Sequence, residues 1–200
     1  MISVYKLKPK FQQLLTPVLL FLHKHNITAN QITVSSILLS VMIGVLFWNG
    51  DLSKWLFLSL PIGLLLRMAL NALDGMMARK FNQTSRLGEV LNEVGDIVSD
   101  VIIFFPLLKF QPESIYLIVI FMVLSIINEF AGLIGKVVGK ERRYDGPMGK
   151  SDRALILGIY GLAVFFGADI SGISTYIFGL IIVLLMVSTY IRLKKSLHEA

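Results

Sequence analysis

The 200-residue sequence predicts an all-α polytopic membrane protein of six transmembrane helices preceded by an amphipathic helix lying along the membrane surface. Three observations carry this. Apolar residues make up 55% of the chain and charged ones only 16%, too little polar surface to coat a soluble globule. The apolar residues fall into six runs separated by short polar links. Finally, the basic residues alternate from link to link in the way that positive-inside topology demands.

The runs are 32–48, 55–73, 97–110, 115–138, 154–166 and 173–191. A spanning helix needs about 20 apolar residues at about 1.5 Å rise each, so six spans nearly exhaust the chain. One membrane domain over 1–200 follows, with an interfacial segment at 1–30 and the bundle at 31–192. Val4 to Phe21 mixes Lys with Val, Leu and Phe and is expected to end near Thr16 and Pro17. The third run is short, and Glu89, Asn92, Glu93, Asp96 and Asp100 come before or into it at helical spacing. That helix either starts in water or lines a polar cavity. Pro9, Pro17 and the His23 to Asn26 stretch interrupt any continuous apolar leader, so no cleavable signal peptide is expected. Without cysteine, disulfides and thiolate sites are excluded, and any metal must be held by oxygen or His.

Sixteen Lys and Arg residues fall before the first span, in the second-to-third and fourth-to-fifth links and after the sixth span, against Lys54 and Lys109 in the opposite links. Both termini are therefore expected in the cytoplasm, and the expected compartment is a bacterial inner membrane. The net charge of +6 follows span ends and forms no basic arm or patch, which argues against nucleic-acid binding.

Asn71-Ala72-Leu73-Asp74-Gly75-Met76-Met77-Ala78-Arg79 is followed by Gly88, Asn92 and Asp96. This stretch resembles the signature of the CDP-alcohol phosphatidyltransferases: Asp, two residues, Asp-Gly, two residues, Ala-Arg, seven or eight residues, Gly, three residues, Asp, three residues, Asp. Asp74, Gly75, Ala78, Arg79, Gly88 and Asp96 agree with it, while Asn71 and Asn92 stand where the family has Asp. The Ile27 to Thr33 stretch is similar to the family's Pro-Asn-x-Leu-Thr segment, and Gly149-Lys150 to its Gly-Lys-x-Lys-Thr segment, with Asp152 and Arg153 replacing the last two residues.

The residues themselves describe a diphosphate site. Asn71 and Asp74 lie three apart on one helix face, and Asn92 and Asp96 four apart on another, so two faces can converge on a cation. Oxygen donors select a hard ion, Mg²⁺ with Mn²⁺ as the alternative. Gly75, Ala78 and Gly88 leave room for a phosphate to approach the backbone, and Arg79 offers a planar fork for its oxygens. The competing interpretation is that small residues merely pack helices and that Arg79 is a positive-inside end. The resemblance implies transfer of a phosphatidyl or phospho-alcohol group from a CDP-linked lipid donor to an alcohol acceptor with release of CMP, Asp96 as general base, and a homodimer among membrane lipids. Loss of two carboxylates leaves three explanations: Glu93 or Glu89 substitutes, one metal suffices with Arg67 adding fixed charge, or catalysis has lapsed and the chain only binds lipid or nucleotide for a partner. A small transporter is a third functional class, which the absence of internal repeats disfavours. Arg67 shares a face with Asn71, Asp74 and Ala78 and is expected to pair with Glu129. Lys150 and Arg153 share a helix face suited to an anionic group of acceptor or donor, or simply to anionic headgroups.

Overall fold

The structure, a computed structural model, describes residues 8–139 and 141–198. These form eight helices: α1 Lys8–Lys24, α2 Ala29–Trp48, α3 Ser59–Lys80, α4 Arg86–Phe104, α5 Leu107–Phe110, α6 Ile115–Val138, α7 Lys150–Phe165 and α8 Ser171–His198. No strand occurs among the described residues. Each of the long helices α2, α3, α4, α6, α7 and α8 overlaps one of the six apolar runs, and the third run extends past α4 into α5. Four stretches, 29–48, 54–80, 112–138 and 171–198, are long and apolar enough to cross a membrane. α4 is interrupted by Glu89, Glu93, Asp96 and Asp100, and α7 has only 16 residues.

Local chemistry sets the boundaries. Thr28 caps α2: its hydroxyl accepts from the Gln31 amide at 3.3 Å while the Gln31 side chain accepts from the Thr28 amide at 2.8 Å. Ser85 caps α4 by accepting from the Gly88 amide at 3.0 Å. Pro106 lacks a backbone donor and ends the third run's helix at Phe104, so α5 is a separate turn and the run is not one helix. Conversely, α1 continues through Pro17 to Lys24 instead of ending there, and the residues before Lys8 lie outside the described part. α7 starts at Lys150, one turn earlier than its apolar run.

α2 packs against α3 and α4, α7 lies on α3, and α6 pairs with α8. Close approach depends on missing side chains. A Cβ on Gly63 would come within 2.5 Å of Ile43, and one on Gly44 within 2.7 Å of Ile102. The bundle centre is a belt of Phe47, Phe57, Leu60, Phe104, Phe121, Phe178 and Leu185. Leu38, Val45, Leu65, Val123, Phe130 and Leu180 point outward and are exposed, so the molecule presents apolar side chains around its girth. Polar groups are inside: Ser36, Ser40, Arg67, Asp100, Asn128, Glu129, Arg153 and Arg192 are all buried. Apolar outside and charge inside is the distribution of a lipid-embedded bundle.

Successive long helices run antiparallel, which sorts their ends into two faces. One face joins the start of α2 to the end of α3, where Thr33 meets Asp74 and the Ala29 amide donates to Gln83 at 2.8 Å. On the other, Lys109 donates to the Trp48 carbonyl at 2.8 Å, and Ser114 bonds Ser174 at 2.7 Å.

Candidate active site

The start of α2, the end of α3 and the start of α4 enclose a cavity of about 530 Å³ on the first face. Asn71, Ala72, Asp74, Gly75, Ala78 and Arg79 line it from α3, and Gly88 and Asn92 from α4. Helical spacing turns all of these toward one space. The Arg79 guanidinium lies over Gly75, where a Cβ would sit 3.2 Å from its Nη1. Gly88 is more tightly constrained, because a Cβ there would meet Asn30 Oδ1 at 2.6 Å.

Asp74 is buried and accepts a hydrogen bond from Thr33 at 3.0 Å. Asn71 accepts from Ser36 at 2.6 Å and donates through Nδ2 to Asp96 Oδ1 at 3.2 Å. The amide lets α3 and α4 touch here with a hydrogen bond, where a second carboxylate would repel Asp96. Lys150, from the first turn of α7, donates to the same Asp96 oxygen.

Behind Asp96 lies a buried ionic network. Glu93, Asp96 and Asp100 recur at three and four residues, so α4 turns them to one side. Arg67 Nη1 bonds Asp100 at 2.7 Å and its Nη2 bonds the Asp96 carbonyl at 3.3 Å. The expected partner Glu129 is instead taken by Arg142 and Arg153, each at 2.8 Å. Arg67 is anchored instead to α4, which shares α2 as a packing partner with α3. Arg153 also donates to Asp100 at 2.9 Å, and its side chain is fully buried. Through these two carboxylates Arg153 ties α7 to α4 and α6. Glu93 is likewise spoken for, at 3.1 Å from Arg142, and Glu89 pairs with Lys136. Glu89 nevertheless lines the cavity beside Asn92, whereas Glu93 is turned away from it toward Arg142. Among the described residues, no group of three His, Asp or Glu side chains gathers to hold a metal.

Several participants were not singled out from sequence. Thr33 and Ser36 lie three apart on α2, a polar face that was readable in principle. Gln83 ties the α3 to α4 turn to α2, and Tyr144 reaches the cavity from the loop after α6. Arg192, buried on α8, donates to the carbonyls of Asn128 at 2.7 Å and Asp145 at 3.2 Å. Its signal was only a basic residue after an apolar run.

Comparison with known proteins places this geometry. The inner membrane protein YnbA of Escherichia coli (strain K12) is 47% identical over 162 residues, covering 81% of this chain and 80% of its own. An uncharacterized protein of Aquifex aeolicus (strain VF5) is 32% identical over 99 residues, half of this chain and 48% of its own. The fold is similar to the crystal structure of Mycobacterium tuberculosis phosphatidylinositol phosphate synthase (PgsA1) with CDP-DAG bound, with a TM-score of 0.75 at 22% identity over 92% of this chain and 94% of that one. The same enzyme in complex with manganese and citrate superposes with a TM-score of 0.73 at 22% identity, over 90% of this chain and 88% of that one. The family model for CDP-alcohol phosphatidyltransferase matches residues 26–192, from the cap of α2 to the end of α8. The chain therefore belongs to the CDP-alcohol phosphatidyltransferase family and is an integral membrane phosphotransferase of that type.

Proposed function

We propose that the protein transfers a phosphatidyl or related phospho-alcohol group from a CDP-linked lipid to an alcohol, releasing CMP. The observation that carries this is the single cavity onto which Asp74, Gly75, Ala78, Arg79 and Gly88 converge. At about 530 Å³ it falls in the size range of small-molecule sites and can take a nucleotide diphosphate. Gly75 and Gly88 admit the diphosphate to the backbone, and Arg79 pairs with its oxygens.

The acceptor hydroxyl attacks the phosphorus nearest the lipid. A new P–O bond forms, the diphosphate P–O bond breaks, and CMP departs with the bridging oxygen. Asp96 takes the hydroxyl proton. One of its oxygens is held by Asn71 and Lys150, which orients the carboxylate and leaves the other for the proton. Asp74, Asp96 and the Asn71 and Asn92 amide oxygens are the donors for a divalent ion, Mg²⁺ or Mn²⁺. That hard oxygen set fits such an ion, which when bound neutralises charge on the departing phosphate. Two carboxylates already facing the Lys150 ammonium suit one dication better than two.

The reading extends to the membrane. We assign residues 31–192 to one domain of six spans, with α4 and α7 crossing as shielded, partly polar helices. We place α1 along the interface, and the excess of basic residues on the cavity's face supports a cytoplasmic setting for that face and both termini. A homodimer is carried over from the family resemblance, and cross-linking of the purified protein tests it. The function is tested by incubating purified protein with labelled CDP-diacylglycerol and a panel of alcohols, with Mg²⁺ or Mn²⁺, and following CMP and lipid products by mass spectrometry. Stoichiometric CMP and a new phospholipid are expected. Absence of CMP across the panel refutes the proposal.

A further inference from the structure

Helix α2 sets a scale along the cavity. Ser36 meets Asn71, which holds Asp96, at the reacting end; Thr33 meets Asp74; Asn30 stands against Gly88; and Ala29, in the first turn, meets Gln83. From Ser36 to Ala29 is about 10 Å of helix at about 1.5 Å per residue. With the diphosphate at Gly75, Arg79 and Gly88, the Gln83 end is left for the nucleoside. Gln83 is held there from both sides. Asn82 turns the chain through the left-handed region, with φ 54°, and the Gln83 backbone amide donates to the Ala78 carbonyl at 2.9 Å. The side-chain Oε1 accepts from the Ala29 amide at 2.8 Å. A backbone N–H can only donate, so the carboxamide has one orientation, with its oxygen on α2 and Nε2 on the other side. No described residue accepts from that Nε2, and Gln83 forms part of the cavity wall.

We infer that Gln83 reads the base of the nucleotide donor and selects cytosine over uracil. This rests on the transfer reaction proposed above and names the residue that gives its donor a base preference. The two pyrimidines share O2 and differ at N3 and C4. Cytosine N3 is a bare acceptor, whereas uracil N3 carries a hydrogen. Gln83 Nε2, fixed as a donor, bonds the first and opposes the second. The carboxamide cannot turn over to offer its oxygen to uracil, because its NH2 would then face the Ala29 N–H. Fixed polarity discriminates through the penalty on the wrong base as well as through the bond to the right one.

Calorimetric titration of the purified protein with CMP, UMP and 3-deaza-CMP, in which a C–H replaces N3, tests this without turnover. The unaltered protein is expected to bind CMP at least about tenfold more tightly than either analogue, the worth of one hydrogen bond. Gln83→Glu keeps one oxygen on the Ala29 amide and turns the other into the cavity. Its charge weakens every nucleotide alike, so the ratio is what is read, and the CMP preference over UMP should fall to about one or below. Gln83→Leu, with no polar group, should no longer separate CMP from 3-deaza-CMP. A CMP preference that both variants retain overturns the inference and leaves the transferase reading standing. Equal binding of CMP and 3-deaza-CMP by the unaltered protein does the same, and this comparison needs no variant to fold. If the unaltered protein binds none of the nucleotides, the transferase reading falls and the inference falls with it.

Discussion

Replacing Arg153 by Met separates a structural brace from a substrate-binding residue. Its guanidinium is the one group bonded to both Asp100 on α4 and Glu129 on α6, at 2.9 and 2.8 Å, and it comes from α7. Removing one partner of a buried pair costs about 3–5 kcal/mol because it strands the other charge. Here the lower figure applies, since Asp100 keeps Arg67 and Glu129 keeps Arg142. For a chain of 150–250 residues, each kcal/mol shifts the midpoint by about 2–4 °C, so about 3 kcal/mol corresponds to about 6–12 °C. The assay is thermal unfolding of detergent-solubilised protein. Lys136→Met, at the exposed pair with Glu89, serves as the reference and should move the midpoint by less than about 4 °C, given about 0–1 kcal/mol for surface pairs. An Arg153→Met midpoint unchanged from the unaltered protein, together with a raised acceptor KM, would refute the reasoning, because that is the signature of a ligand contact.

Other substitutions probe the site and its setting. Restoring carboxylates in Asn71→Asp with Asn92→Asp should raise bound Mn²⁺ from one to two per chain, read by titration under electron paramagnetic resonance, with a higher metal requirement for turnover. Gly88→Ala should weaken donor binding by about tenfold or more, measured as KM for CDP-diacylglycerol, because the added methyl meets Asn30 Oδ1 at 2.6 Å. Gly75→Ala should cost less, since the 3.2 Å neighbour is the movable end of Arg79. The chain has no cysteine, so single thiols report topology cleanly. A membrane-impermeant thiol reagent applied to spheroplasts should label Gly172→Cys at the start of α8 and spare Lys194→Cys near its end.

The sequence was informative where the bilayer imposes a one-dimensional rule. Six apolar runs each yielded a long helix because lipid admits little else, and the spacing from Asn71 to Asn92 placed eight residues around one cavity, with Asp96 one turn beyond its lining. It was uninformative where the answer depended on which helices pack together. Arg67 and Glu129 are both intramembrane charges, yet Arg67 reaches Asp100 because α3 and α4 both pack on α2, which brings their facing sides within reach of a long side chain. Lys150 and Asp96 are 54 residues apart and meet only through the α7 to α3 packing. Prolines misled in both directions. Pro17 sits within α1, while Pro106 splits an apolar run that composition alone made continuous. Helical spacing with Lys150 says which face Arg153 occupies, but not that this face is buried against Asp100 and Glu129.

The central claim is that Asp96, held by Asn71 and Lys150 beside the cavity, serves phosphatidyl transfer. The direct measurement is CMP release from CDP-diacylglycerol by the unaltered protein and by Asp96→Asn, which keeps the side chain's shape and removes its basicity. The account predicts CMP and new phospholipid in equal amounts from the first, and at least a hundredfold less from the second, within the range of about 10²–10⁴ for a general base. CMP release at the same rate by both proteins would contradict it.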